Sequence, residues 1–311
     1  MKAVLFVGHG SKDAEGNQEV RNFVEFATEQ LKDEFIVETC FLEFERPTIL
    51  QGIDTCVQRG ATHVVLIPMI LLPAGHSKIH IPAAIDEGKE RHPHVQFTYG
   101  RPIGNHQLTL QILLSRLEEL GLQKDENYED TAILVVGRGS SDSDANSELF
   151  KLSRMLWEKH QVKWVETAFM GVTDPLIHEG VERCVKLGAR RVIILPFFLF
   201  TGILIKRMEL MVEEFRAQYV DQEIILGNYF GYHQSLQDII KDRVNEALYG
   251  LVSMNCDTCQ YRLAAMEHID HHHHHDHDHD HHHHGHHHGH HHDHDHHHDH
   301  DHHHDHEPIK K

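Results

Sequence analysis

Residues 41–78, FLEFERPTILQGIDTCVQRGATHVVLIPMILLPAGHSK, contain one unit of an alternating pattern. An apolar run closes at its start, an amphipathic stretch follows, and a second apolar run leads into Gly-His-Ser-Lys. Moved along by 128 positions, the pattern returns as FMGVTDPLIHEGVERCVKLGARRVIILPFFLFTGILIK, residues 169–206. The copies agree at Phe41/Phe169, Pro47/Pro175, Gly52/Gly180, Cys56/Cys184, Gly60/Gly188, Pro68/Pro196 and Lys78/Lys206. Further out, Gly8, Gly10, Ser11 and Asp13 fall on Gly137, Gly139, Ser140 and Asp142.

Apolar runs recur at 3–7, 35–42, 63–72, 95–99, 132–136, 162–170, 191–200 and 223–227. Amphipathic stretches of helical length lie between them, as at 17–32, 48–59, 78–91 and 105–120. Strands alternating with helices predict crossover units and mostly parallel sheets, and near-continuous apolar strands predict helices on both faces. The expected fold class is α/β: two similar flavodoxin-like lobes with parallel sheets from an internal duplication, and an active site in the inter-lobe cleft. The expected division is 1–125 and 126–250 for the lobes, 251–269 for a cysteine-containing segment and 270–311 for a disordered tail. Folding explains most shared positions. Gly60 and Gly188 suit left-handed caps, Pro47 and Pro175 sit near helix starts, and Cys56 and Cys184 read as small core residues.

Composition narrows the function. Residues 271–306 are His and Asp with two Gly, which cannot form an apolar core. Of the net charge of −19, Asp270–Lys311 supplies −8 (ten acids against two lysines), which leaves an acidic body near −11. That balance argues against nucleic acid, whose binding needs clustered cations. No apolar segment approaches the roughly 20 residues of a membrane span. Five cysteines, mostly lone, do not suggest a disulfide framework, so a reducing cytoplasm is the expected location.

A duplicated fold provides its own control: where the copies differ in chemistry, function is the candidate. His9 becomes Arg138, Glu43 becomes Gly171, and His76 becomes Leu204. All three positions in the first copy follow predicted parallel strands, at the edge where open α/β sheets bind ligands. Two imidazoles and a carboxylate there suit a divalent first-row metal such as Co²⁺, Fe²⁺ or Zn²⁺ and leave coordination positions open. His80, one helical turn past His76, is a candidate for an extra ligand or supporting group. His63, His92, His94, His106, His160, His178 and His233 show no such pattern and are expected at the surface.

GHGS after the first strand, FLEFERPTI after the second and LLPAGHSKIHIP after the third resemble the class II chelatases, in particular their long-form cobalt-inserting group. The resemblance covers roughly residues 1–250 and extends to the cysteine pair and the tail. It implies insertion of Co²⁺ into the tetrapyrrole sirohydrochlorin in anaerobic cobalamin synthesis, with release of two protons. It further implies that His9 and His76 are metal ligands and proton acceptors, with Glu43 a ligand or base. Neutral imidazoles, with an ordinary pKa of about 6.5, can both hold a metal loosely and take protons near neutral pH. Carboxylates on the tetrapyrrole need cations and polar donors; Ser11, Lys12, Arg46, Lys78, Arg138 and Lys206 are the candidates. Arg138 is expected to have exchanged a metal role for a substrate one, because its planar fork suits carboxylates.

The stretch MNCDTCQYR places Cys256 and Cys259 after the last predicted helix. Two thiolates do not complete a zinc or iron–sulfur site. The resemblance implies an iron–sulfur centre there; the alternatives are two cofactor-free thiols, or a dimer bridged through the pair instead of a monomer. The tail, beginning His271, His272, His273, His274 and His275, is a flexible chelator. It should prefer Cu²⁺ or Ni²⁺ to Co²⁺, which suits storage or delivery of divalent metals and not selectivity. Iron insertion for sirohaem is the alternative activity. Non-enzymatic metal storage accounts for the tail but not for the one-sided His9, Glu43 and His76. A histidine phosphatase is disfavoured because Gly8, not arginine, precedes His9.

Overall fold

The structure is a computed structural model and describes residues 1–123 and 126–250, apart from the side chain of His76. Among these residues eight strands alternate with eight α-helices: β1 (Lys2–Gly8), α1 (Ala14–Ala27), β2 (Ile36–Phe41), α2 (Ile49–Gln58), β3 (His63–Met69), α3 (Ile81–Arg91), β4 (Gln96–Tyr99), α4 (Gln107–Glu119), β5 (Tyr128–Gly137), α5 (Ser143–Trp157), β6 (Val162–Phe169), α6 (Ile177–Lys186), β7 (Arg191–Pro196), α7 (Ile203–Gln218), β8 (Glu223–Leu226) and α8 (Gln234–Leu248). A π-helical turn, His76–His80, runs directly into α3. None of the described helices is long and apolar enough to cross a membrane.

The strands form two four-stranded parallel sheets of matching order, β2-β1-β3-β4 and β6-β5-β7-β8. Every apolar run read from the sequence coincides with a strand. Two runs outlast theirs by more than one residue: β3 stops at Met69 and β7 at Pro196, while apolar residues continue to 72 and 200.

Alternation along each strand divides the apolar side chains between two faces. On the outer face of the first sheet, Leu5, Val7 and Leu66 meet Ile53 and Cys56 of α2 and Ile81 of α3. On that of the second, Leu134, Val136 and Ile194 meet Val181 of α6 and Met208 of α7. The inner faces do not close separately. Val4, Phe6 and Ile67 share one core with Ile133, Val135 and Leu195, filled by residues of α1, α4, α5 and α8. Burial pushes the Cys56 and Cys184 thiols up to about 12, as fits packing residues.

The last helix of each sequence half crosses to the other. Helix α8 packs on β3 and β4. Its Arg243, buried, donates to the carbonyls of Pro102 (2.8 Å) and Ile103 (2.7 Å). In mirror fashion Arg116 of α4 donates to the carbonyls of Tyr229 (2.9 Å) and Phe230 (2.7 Å). The boundary near residue 125 therefore divides a repeat in sequence, not two independent cores.

Two ion pairs repeat this reciprocity. Lys78 Nζ lies 2.7 Å from Asp142, which caps α5, and Lys206 Nζ lies 2.7 Å from Asp13, which caps α1. The pairs differ in exposure: Lys78 and Asp142 are 10% and 2% exposed, Lys206 and Asp13 46% and 12%.

The histidines expected at the surface divide. His160 is instead buried beside the Tyr128 ring (5.9 Å between centroids), because the α5–β6 connection tucks under that tyrosine. His106 and His233 cap α4 and α8, their Nδ1 atoms accepting from Leu108 N–H (3.1 Å) and Ser235 N–H (3.0 Å). An accepting Nδ1 requires the neutral ring.

Lys78→Met leaves the buried Asp142 carboxylate unpaired and should lower stability in urea by about 3 kcal/mol. Lys206→Met, at the more exposed pair, should cost clearly less. A pH effect follows from the capping histidines, whose pKa values burial lowers below that of the unfolded chain. Their contribution is complete above about pH 6.5 and is lost as pH falls toward the depressed folded values, because the unfolded chain takes up protons first. The thermal midpoint should therefore drop between pH 7 and 5.5. A His106→Asn/His233→Asn double variant, capping without titrating, should show a smaller drop.

Candidate functional site

Strand order places the loop after β1 between those after β2 and β3. The ladder continues past the strand ends: Leu42 N–H donates to Gly8 O (2.9 Å) and Glu43 N–H to His9 O (3.0 Å). Two backbone bonds thus set Glu43 beside His9. The approach is close enough to require glycine next to it: Gly10 has φ 87, and a Cβ there would lie 1.7 Å from Glu43 O. Gly139 repeats this in the second half, with φ 89 and a Cβ position 1.9 Å from Gly171 O.

The His9 ring is bracketed. Its Nδ1 lies 3.2 Å from Gly10 O and 3.4 Å from Glu43 Oε1. Both neighbours accept, so Nδ1 carries the proton and Nε2 presents the lone pair. Facing Nε2 at 2.5 Å is Nη1 of Arg138, from the matching loop of the other half. The two turns that align in sequence therefore meet in space.

They meet at a cleft of ≈ 760 Å³ walled by both halves. His9, Ser11, Lys12, Phe44, His80 and Arg138 line it, and residues 69–72 and 197–200 supply much of its apolar wall. Apart from Met69, the last residue of β3, those are the apolar residues that outlast β3 and β7. Among the described residues no group of three His, Cys, Asp or Glu is placed to hold a metal. His9 and Glu43 adjoin; the side chain of the third expected ligand, His76, lies outside the described residues, as do Cys256, Cys259 and His271–His275. The backbone of His76 opens the π-helical turn, where the Tyr99 hydroxyl donates to Ser77 O (2.9 Å).

Comparison with known proteins decides the family. The family model described as CbiX matches residues 3–120 and again 132–247. The chain is 63% identical to the sirohydrochlorin cobaltochelatase of Priestia megaterium over 88% of each protein. It is 37% identical to the sirohydrochlorin ferrochelatase of the same organism, over 80% of this chain and 91% of that one. The solved structure of SirB from Bacillus subtilis with Fe³⁺ superposes with a TM-score of 0.70 at 31% identity, covering 82% of this chain and 99% of that one. The chain belongs to the CbiX family.

Within this CbiX-family fold, the residues read as substrate groups separate by position. Lys12 is exposed at the cleft, its ammonium 5.4 Å from the Phe44 ring centroid. Arg138 lines the cleft as well. Ser11 lines it too, but its polar atoms build the turn: Oγ accepts from Asp13 N–H (3.0 Å), while N–H and O bond the Asn17 amide (2.9 and 2.7 Å). Ser140, Asp142 and Asn146 repeat that turn, so the shared Gly-Ser-x-Asp pattern belongs to the fold. Arg46, Lys78 and Lys206 are not among the cleft's lining residues, and both lysines hold the inter-half ion pairs.

Sequence reading passed over the groups that support Glu43. Glu45, two residues on, accepts from Asn17 Nδ2 (2.7 Å), pairs with Arg21 (2.9 Å) and accepts from Arg46 N–H (2.9 Å). Arg21 also donates to Arg46 O (2.9 Å). The Arg46 N–H, with help from Arg21 and Asn17, holds the Glu45 carboxyl below the usual carboxylate range. The second half has Phe150 and Thr173 at the places of Arg21 and Glu45, a further difference between the copies that could have revealed them. Phe44 and Val172, both exposed at the cleft, have φ 61 and 72, a strained region for non-glycine residues that no residue pattern signals.

Gly10→Ala meets backbone and should destabilise the protein by about 3 kcal/mol. Gly60→Ala, also at positive φ but with nothing within 4 Å, should cost about 1 kcal/mol. Equal losses in urea titrations would contradict the close approach of the two loops.

Proposed function

We propose that this chain inserts Co²⁺ into sirohydrochlorin, releasing two protons. The observation that carries the reading is its 63% identity to a sirohydrochlorin cobaltochelatase, against 37% to a ferrochelatase of the same organism. Iron insertion is the alternative and is an arm of the test below.

The cleft suits a flat macrocycle with a charged rim. Its apolar walls can cover the ring faces, while Lys12 and Arg138 are set to meet carboxylates. In this reading the metal is a substrate held by His9 Nε2 with His76, and with Glu43 as ligand or base. Each pyrrole N–H gives its proton to an imidazole or carboxylate as the metal–nitrogen bonds form, and both protons pass to water. Glu43, beside Nδ1, keeps His9 in the tautomer that offers Nε2. Arg21 and Glu45 are positioning residues that act through the Glu43 loop.

The reading extends to the repeat and the tail. A duplication in which one copy lost its ligands accounts for two like sheets with one-sided chemistry. One chain supplies both cleft walls, which suits a monomer. The His/Asp-rich tail is a store of divalent metal, and no step above runs through an iron–sulfur centre at Cys256 and Cys259.

Anaerobic absorbance assays with sirohydrochlorin and either Co²⁺ or Fe²⁺ test the activity. Turnover should be faster with Co²⁺, and no spectral change with either metal would remove the assignment. His9→Ala should lower the rate by about 100-fold or more. Arg21→Ala, with the fold kept, should cost about tenfold.

A further inference from the structure

We propose that Arg138 gates the metal site: it occupies the His9 lone pair until a carboxylate of the tetrapyrrole draws it away. The inference rests on the reading of His9 as a metal ligand and adds an order of events to it.

Three observations carry it. First, Nη1 of Arg138 lies 2.5 Å from His9 Nε2, the nitrogen left with the lone pair once Nδ1 faces Gly10 O and Glu43 Oε1. A guanidinium donates only, so the contact consumes the electron pair a metal would need. Metal and Arg138 are therefore competitors for one orbital, and a guanidinium left nearby also repels a dication.

Second, the contact is built into the fold. Gly10 and Gly139 give the two strand-end loops the same backbone path. The shared core and the reciprocal pairs Lys78–Asp142 and Lys206–Asp13 hold the halves face to face. Residues 9 and 138 are equivalent in the repeat and come together where the halves meet.

Third, the contact is easily exchanged. Arg138 is exposed and lines the cleft, so a ligand can reach it. A carboxylate offers a guanidinium two charged acceptors in matching geometry, against one neutral nitrogen from imidazole. A polycarboxylate tetrapyrrole entering the cleft should thus take the arginine and leave Nε2 open toward the ring. Metal then finds its ligand only when its acceptor is already seated. No covalent or redox step is involved.

The test is initial-velocity kinetics on the full chain, with sirohydrochlorin and Co²⁺ varied together and free Co²⁺ fixed by a metal buffer. Such data yield the Co²⁺ dissociation constant from free enzyme and from the tetrapyrrole complex. In the wild type the complex should bind Co²⁺ about tenfold more tightly, and by linkage Co²⁺ should strengthen tetrapyrrole binding equally. In Arg138→Ala and Arg138→Gln this ratio should collapse toward one through tighter Co²⁺ binding to free enzyme. A merely structural role would reduce the active fraction, and hence kcat, without moving the ratio. Weaker tetrapyrrole binding with the ratio unchanged would make Arg138 an ordinary substrate ligand and overturn the gate. If one variant does not fold, the other decides. His9→Ala separates the two readings: an unaltered Co²⁺ dependence sinks the ligand role and the gate together. Loss of that dependence, with the ratio kept in the Arg138 variants, sinks the gate alone.

Discussion

The structure depends on the apolar core that the two sheets share. Neither inner sheet face is covered by its own half alone, because α4 and α8 are exchanged across the boundary between the repeats. Arg116 and Arg243 fasten the exchange by taking backbone carbonyls of the opposite half, at a depth where an unpartnered carbonyl would be costly. Sharing a core brings the carboxyl ends of both sheets to one cleft. The meeting of His9 and Arg138 follows from it, as does the confinement of a ligand between two apolar walls.

On that near-symmetric frame, chemistry is one-sided. The turns Gly-x-Gly-Ser are alike down to their internal hydrogen bonds, so backbone geometry is common property. Asymmetry lies in side chains added to one copy: His9 and Glu43 at the cleft, with Arg21 and Glu45 beneath them. A carboxylate on a loop needs its backbone held, and the Asn17–Glu45–Arg21 cluster holds the loop that carries Glu43. The second copy has Phe150 and Thr173 at the places of Arg21 and Glu45 and so lacks that cluster.

Much of this was legible in the residues. All eight strands and the parallel arrangement followed from apolar runs alternating with amphipathic stretches, because sheets covered on both faces have no polar side to show. The place of His9 and Glu43 followed from the internal comparison. Other contacts came from the fold alone. Lys78 and Lys206, read as substrate cations, pair with Asp142 and Asp13, helix caps of the opposite half and distant in sequence. The Ser11 hydroxyl accepts from Asp13 N–H at the start of α1, a contact that no residue pattern signals. Residues 70–72 and 197–200 read as strand because apolarity does not tell a sheet from a cavity wall.

The sequence by itself determined the local pieces: strand and helix order, the glycine-dependent turns, the caps and the residues in which the copies differ. Each rests on contacts within a few residues or on a periodicity of two or 3.6. The tertiary structure alone decided which half each last helix covers, which cations are held in ion pairs, and that Arg138 faces His9. Those depend on groups far apart in the sequence being brought within hydrogen-bond distance, and only packing of the shared core sets that distance.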